Sequence, residues 1–217
     1  MPGIYRLVTL TVLNHCFGLT VVGEVSANWA LIQIAAIFTF VGWSSLLLSR
    51  LPGKQVEIQN GEFFNILISG LMTCLPAFAI LCFFWEGSIT SLVLFLLSST
   101  VYSLIRQKLI VIEKYWKLVG YDCLELLLTV ALIFLIRYEL SGGLSYNYVI
   151  IIPACILSFF YLMEIYSKTN FQIKWRFERS GMIFGFSNFV SGGIAYLLVP
   201  LASSAKFPVI VESTNVP

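Results

Sequence analysis

Seven apolar stretches, each long enough to cross a bilayer, leave this chain almost nothing with which to build a water-facing surface. They run Ile4 to Val22, Asn28 to Ser49, Phe64 to Trp85, Ser88 to Ile105, Leu118 to Ile136, Tyr148 to Tyr166 and Met182 to Ala202. A helix rising 1.5 Å per residue needs about 20 apolar residues to cross the roughly 30 Å hydrocarbon core. Lipid also admits only elements that satisfy their own backbone polar groups, so runs of this length read as helices. Charged residues make up 11% of the chain against 59% hydrophobic, and the mean hydropathy is +0.90. Soluble domains carry about 25% charge. The expected fold class is therefore all-α, a polytopic membrane helix bundle of about seven transmembrane helices. A soluble enzyme is excluded. A net charge of +2 with no basic stripe cannot track a phosphate backbone, so no nucleic-acid partner is expected. Of the five cysteines, Cys74, Cys82, Cys123 and Cys155 lie inside apolar runs and read as small buried hydrophobes rather than a disulfide framework.

The first stretch carries Arg6, Asn14 and His15, and its length and position invite a signal-peptide reading. One arginine in the leading region, no clean small-residue cleavage site and six further stretches argue against it. Basic residues then orient the bundle. With the N-terminus cytoplasmic, eleven of the thirteen Lys and Arg residues fall on inner segments, leaving Arg137 and Lys206 outside. That bias over short loops is a strong positive-inside pattern. The expected outer connections are Gly23 to Ala27, Glu86 to Gly87, and Tyr138 to Asn147 with its Ser141-Gly142-Gly143 turn. The inner segments Leu109 to Lys117 and Phe171 to Arg179 mix apolar and basic residues, as expected of chain lying at anionic headgroups.

Catalysis needs convergent titratable groups, and there is one histidine, with no Cys-x-x-Cys, phosphate-binding glycine loop or nucleophile elbow. The chain is expected not to be an enzyme, and to use neither cofactor nor metal. Asp122 and Glu125 stand three residues apart on one face of the fifth stretch. Each carboxylate costs about 2.5 to 3.5 kcal/mol at mid-membrane on insertion scales, so the pair is expected to face the interior as an ion-coupling site for a proton or sodium ion, unless Lys114, Lys117 or another basic group neutralises it. Asn14 and His15 read either as polar glue between helices or as site residues. Arg50 and Arg106-Gln107-Lys108 end two stretches. They read as headgroup anchors or as cations attracting a pyrophosphate. Gly42, Gly70, Gly120, Gly185, Gly192 and Gly193 allow close helix approach, and Pro76, Pro153 and Pro200 interrupt backbone bonding, a composition that suits a transporter.

The order of these features resembles a known family. Phe17-Gly18-Leu19-Thr20-Val21-Val22-Gly23-Glu24 leads into Asn28-Trp29-Ala30-Leu31-Ile32-Gln33-Ile34-Ala35-Ala36, then Phe40-Val41-Gly42-Trp43 and Leu46-Leu47-Leu48-Ser49-Arg50. This is similar to the opening of the O-antigen and polysaccharide flippases of the multidrug/oligosaccharidyl-lipid/polysaccharide exporter superfamily. Ser187-Asn188-Phe189 through Val199-Pro200-Leu201 looks like that family's restart in its second half. Family members have two pseudo-symmetric bundles and usually twelve or more spans, so the resemblance implies an N-terminal half or a truncated chain. The implied organisation is a six-helix bundle over 1–180, the first helix of a second, missing bundle over 181–202, and a polar tail over 203–217. The implied activity is translocation of an undecaprenyl-pyrophosphate-linked oligosaccharide, an O-antigen or capsule repeat unit, across the bacterial inner membrane. Asn14, His15 and Arg50 would bind that substrate. The implied partners are the lipid-linked oligosaccharide, membrane lipids, and a second copy or other polysaccharide-assembly proteins. A drug or cation exporter of the same superfamily, and a membrane-embedded subunit or enzyme of envelope synthesis, are the competing expectations.

Overall fold

The computed structural model describes residues 2–36, 39–40, 42–83, 85, 88–139, 146–167 and 179–188. They form α1 (Pro2–Phe17), α2 (Leu19–Ala36), α3 (Gly42–Arg50), α4 (Val56–Leu81), α5 (Ile89–Val111), α6 (Tyr115–Glu139), α7 (Tyr148–Tyr166) and α8 (Arg179–Asn188). No strand occurs among the described residues. Five helices are long and apolar enough to cross a membrane: α2, α4, α5, α6 to Tyr138, and α7. The chain is thus an all-α, multi-pass membrane bundle. Of the seventh apolar stretch, the part beyond Asn188 lies outside the described residues, as do the 203–217 tail, Gly192, Gly193, Pro200, the Ser141-Gly142-Gly143 turn and the linker from Phe171 to Phe177.

The first turn falls earlier than expected. Gly23 to Ala27 is continuous helix within α2, and the chain reverses instead at Gly18, whose φ is +86°. The Gly18 N–H donates to the Asn14 carbonyl at 2.9 Å, closing α1 with a left-handed cap that L side chains resist. The reversal is evident in the rings. Tyr5 and Trp29 stack edge to face with centroids 5.7 Å apart, and the Arg6 guanidinium lies 5.5 Å over Trp29. A straight helix would put residues so far apart in sequence about 36 Å from one another. Gly18→Val should therefore lower stability by about 1–2 kcal/mol, read as a drop in thermal midpoint in detergent. Gly23→Ala, in ordinary helical backbone, should leave it unchanged or slightly raised.

From that turn α2 and α3 continue the same direction, joined at Thr39 and Phe40 by π-helical geometry. Thr39 there bonds the Thr100 hydroxyl at 2.9 Å. The central helix is α5, which touches α2, α3, α4, α6 and α7. Two apolar cores stack along it. One, at the Gly18 end, gathers Leu13, Trp29, Ile32, Phe95, Ile133 and Val149. The other, at the opposite, lysine-rich end, gathers Trp43, Leu47, Phe63, Ile66, Leu104 and Ile165. Outward faces are also apolar: Leu75, Phe83, Leu127, Phe159 and Phe160 are exposed, which water would penalise and lipid tails do not. Cys82 and Cys123 are among the exposed positions and Cys155 is half-buried, so Cys74 alone of those four is a buried core residue.

Gly70 performs the close approach expected of it. A Cβ there would meet Leu104, the Thr39 carbonyl and Trp43, each at 3.3 Å. Gly120 has open space around it and needs no such explanation. Pro76 and Pro153 sit inside continuous α4 and α7. The loop between α5 and α6 is shorter than the expected Leu109 to Lys117 segment. Helix α5 runs to Val111, and the Lys114 and Glu113 N–H groups bond the Leu109 and Ile110 carbonyls at 2.9 and 3.0 Å. This is the double bond of a Schellman cap, with Glu113 (φ +58°) where glycine is usual.

Candidate functional site

A three-residue link makes α5 and α6 antiparallel neighbours, so residues equally far from Glu113 lie at similar depth. Asp122 on α6 thereby meets Arg106 on α5. Arg106 Nε and Nη2 donate to the two carboxylate oxygens of Asp122 at 2.8 and 2.9 Å, a bidentate pair. Planar guanidinium and carboxylate match in this geometry, and the ion pair is strong because little water screens it. Arg106, expected at a headgroup or at a cavity mouth, is instead drawn into the bundle. The cation that neutralises Asp122 is this arginine rather than Lys114 or Lys117.

One turn further along α6, Glu125 is 8% exposed. Among the described residues no cation comes within ion-pairing distance of it, and Arg106 donates its Nε and Nη2 protons to Asp122. Asp122 and Glu125 line one cavity of about 140 Å³, walled by Tyr5 of α1, Trp29 and Gln33 of α2, Ser99, Tyr102, Ser103 and Arg106 of α5, Cys123 and Leu126 of α6, and Ile150 and Ala154 of α7. The Tyr5 hydroxyl bonds Thr129 at 2.9 Å. Tyr102 is 6% exposed, and its hydroxyl faces the Glu125 carboxylate. At 1.5 Å per residue, Glu125 lies about 15 Å along α6 from Tyr115, near half the thickness of a hydrocarbon core.

The other expected site residues stand elsewhere. Asn14 and His15 are exposed on the last turn of α1 beside the Gly18 reversal, at the opposite end of α1 from Tyr5. Arg50 ends α3 at the lysine-rich end, 3.7 Å from Glu62 of α4, which also pairs with Lys54 at 3.3 Å. The structure therefore joins Asp122 and Glu125 in one cavity and keeps Asn14, His15 and Arg50 outside it. Glu164, expected at a solvated terminus, is bonded by Lys117 across the α6–α7 interface.

No family model, curated protein or solved structure matches this chain. Its chemistry is read from its own residues. Among the described residues no group of three His, Cys, Asp or Glu side chains is placed to hold a metal ion. The cavity instead offers one locked ion pair, one carboxylate without an ion-pair partner among the described residues, and hydroxyls from Tyr102, Ser99 and Ser103. Such a set can bind and release a proton or a small monovalent cation without unpairing Arg106 from Asp122. Sequence reading missed Arg106, Tyr102, Tyr5 and Gln33 as cavity residues. A usable signal existed for the first two: counting outward from Glu113 brings Arg106 within two residues of the level of Asp122 and Tyr102 within one of the level of Glu125. Tyr5 and Gln33 carried none, because their approach depends on the reversal at Gly18.

Proposed function

We propose that this chain is a membrane translocator, in which a coupling ion taken up at Glu125 accompanies passage of a substrate with an anionic headgroup. The polysaccharide-flippase resemblance supplies the substrate: an oligosaccharide joined through pyrophosphate to undecaprenol, moved from the cytoplasmic to the outer face of a bacterial inner membrane. The observation that carries the reading is the polar cavity at mid-depth in the bundle, with Glu125 buried and, among the described residues, without an ion-pair partner beside a neutralised Arg106–Asp122 pair. A bundle selected for stability alone would fill that volume with apolar side chains, because intramembrane carboxylates are costly. Charging and discharging Glu125 changes the cost of that cavity by the desolvation of one carboxylate, enough to bias helix packing between two states. Arg50 and its neighbours at the lysine-rich end would receive the pyrophosphate before passage.

The test is reconstitution of the full chain in proteoliposomes with a fluorescent undecaprenyl-pyrophosphate oligosaccharide, scored by how much label becomes accessible on the far face. The wild-type chain should move label faster under a proton or sodium gradient. Glu125→Gln should reduce gradient-driven movement at least about tenfold, the size expected when one essential ionisable group is lost, while inserting normally. Absence of movement by the wild-type chain would overturn the reading, and a Glu125→Gln variant with the full gradient response would remove Glu125 from it.

A further inference from the structure

We propose that a second cavity, at the lysine-rich end of the bundle under Lys108, is a binding site for a phosphate group. It is separate from the Glu125 cavity and does not rest on the translocation reading. The cavity, about 420 Å³, lies where the α3–α4 turn at Pro52 and Gly53, the α5–α6 turn and the last turn of α7 come together. That volume is within the range of small-molecule sites.

Lys108 is the reason. As part of a basic run closing a span, it is expected to snorkel to the headgroups or to stand with other cations at a cavity mouth. It is instead 2% exposed. The one hydrogen-bond acceptor its ammonium has among the described residues is Asn60 Oδ1, at 2.7 Å, and its other neighbours are ring faces, Phe63 at 4.5 Å and Tyr161 at 5.8 Å from the centroids. An ammonium carries three donors and a full charge, and neutral partners leave both under-compensated. Buried lysines are normally matched by a carboxylate. The carboxylates near this one do not match it. Glu164 is held by Lys117 across the cavity, and Glu113 is exposed to solvent at the cavity's edge. The lining holds three lysines against two glutamates, so the cavity carries an excess of positive charge, with Lys108 buried in its wall and Lys114 at its exposed rim. A phosphate oxyanion supplies what is lacking: negative charge for Lys108, and acceptor oxygens for Lys114 and for the second N–H of the Gln59 amide, which also lines the wall and already donates to the Leu51 carbonyl at 3.1 Å.

The phosphate could belong to a lipid headgroup or to a soluble anion, and one experiment separates them. Full-length chain in dodecyl maltoside is titrated with short-chain phosphatidylglycerol or with inorganic pyrophosphate, using diacylglycerol and sodium chloride at matched ionic strength as controls. The readouts are the thermal midpoint by tryptophan fluorescence and the adduct count by native mass spectrometry. At least one phosphate probe should give a saturable rise in midpoint and a one-to-one adduct. A response to phosphatidylglycerol alone assigns a lipid headgroup, and one to pyrophosphate alone a soluble anion. Lys108→Met should weaken binding at least about tenfold while leaving the ligand-free midpoint equal or higher, since an uncompensated buried charge is removed. Lys108→Arg should keep most of the binding. Should Lys108→Met fail to fold, Lys114→Gln, at an exposed position, should still weaken binding several-fold. The proposal is overturned if neither phosphate probe exceeds its control, or if binding survives unchanged in the Lys108→Met or Lys114→Gln protein that folds.

Discussion

Arg106→Ala should destabilise the bundle by about 3 kcal/mol, the lower end of the cost of breaking a buried ion pair. The guanidinium is the sole described ion-pair partner of Asp122, and the two side chains are 21% and 10% exposed. Removing it leaves a carboxylate at membrane depth, facing Glu125 one turn away on the same helix face. Both acids then share one small cavity with no cation, so the loss combines desolvation with like-charge repulsion. The measurement is unfolding of the purified chain by titration with a denaturing detergent, or its thermal midpoint. The double variant Arg106→Ala/Asp122→Ala should recover most of the loss, because no buried charge is stranded. A single variant as stable as the wild type would show that the pair contributes nothing and that Asp122 is neutral in the folded bundle.

Gly181→Ala should be nearly as damaging, through sterics rather than charge. Helix α8 packs across α3, and a Cβ at Gly181 would stand 2.2 Å from Trp43 Cε3 and 2.3 Å from Cζ3. Real carbon atoms do not approach so closely, so either the ring or the helix must move. The ring is fixed: Trp43 is fully buried in the core at the lysine-rich end, and its indole N–H donates to the Thr73 hydroxyl at 3.1 Å. Forcing that core apart costs about 1–3 kcal/mol; otherwise α8 lifts off α3. Limited proteolysis near α8 should accelerate about 5- to 30-fold in Gly181→Ala, the change expected for about 1–2 kcal/mol of local opening. Trp43→Leu, which deletes the offending ring, should largely cancel the effect of Gly181→Ala when the two are combined. Two effects that simply add would mean that α8 and Trp43 do not touch.

Much of the bundle was legible from composition and run length alone. Apolar stretches separated by short polar links predict helices and their order: α6 and α7 fall within three residues of the expected bounds, whereas α4 begins eight residues earlier and α5 ends six residues later than expected, because helix continues past the apolar run into polar chain. The first reversal was misplaced because Gly18 and Gly23 both punctuate the same apolar segment. Composition cannot tell which of them takes a positive φ. Lys108 and Arg106 were misread for a related reason. Both lie near the end of a span, where a cation ordinarily reaches the headgroups. Which way a side chain turns depends on the neighbour it finds, and Asp122 and Asn60 are those neighbours.

Sequence by itself determined the solvent of this protein and hence its architecture. With so few charges and so many runs of bilayer length, helices that satisfy their own backbone bonds are the structure lipid permits. It also marked Asp122 and Glu125 as side chains too costly to face lipid. The tertiary structure alone decided that these two acids have different fates, one clamped by Arg106 and the other without an ion-pair partner among the described residues, and that Lys108 is enclosed beside a cavity instead of reaching the surface. The physical reason is that burial cost is a property of a residue and its depth, whereas compensation of a buried charge is a property of pairs. Those pairs are chosen when α5 packs against its neighbours, through contacts between residues far apart along the chain.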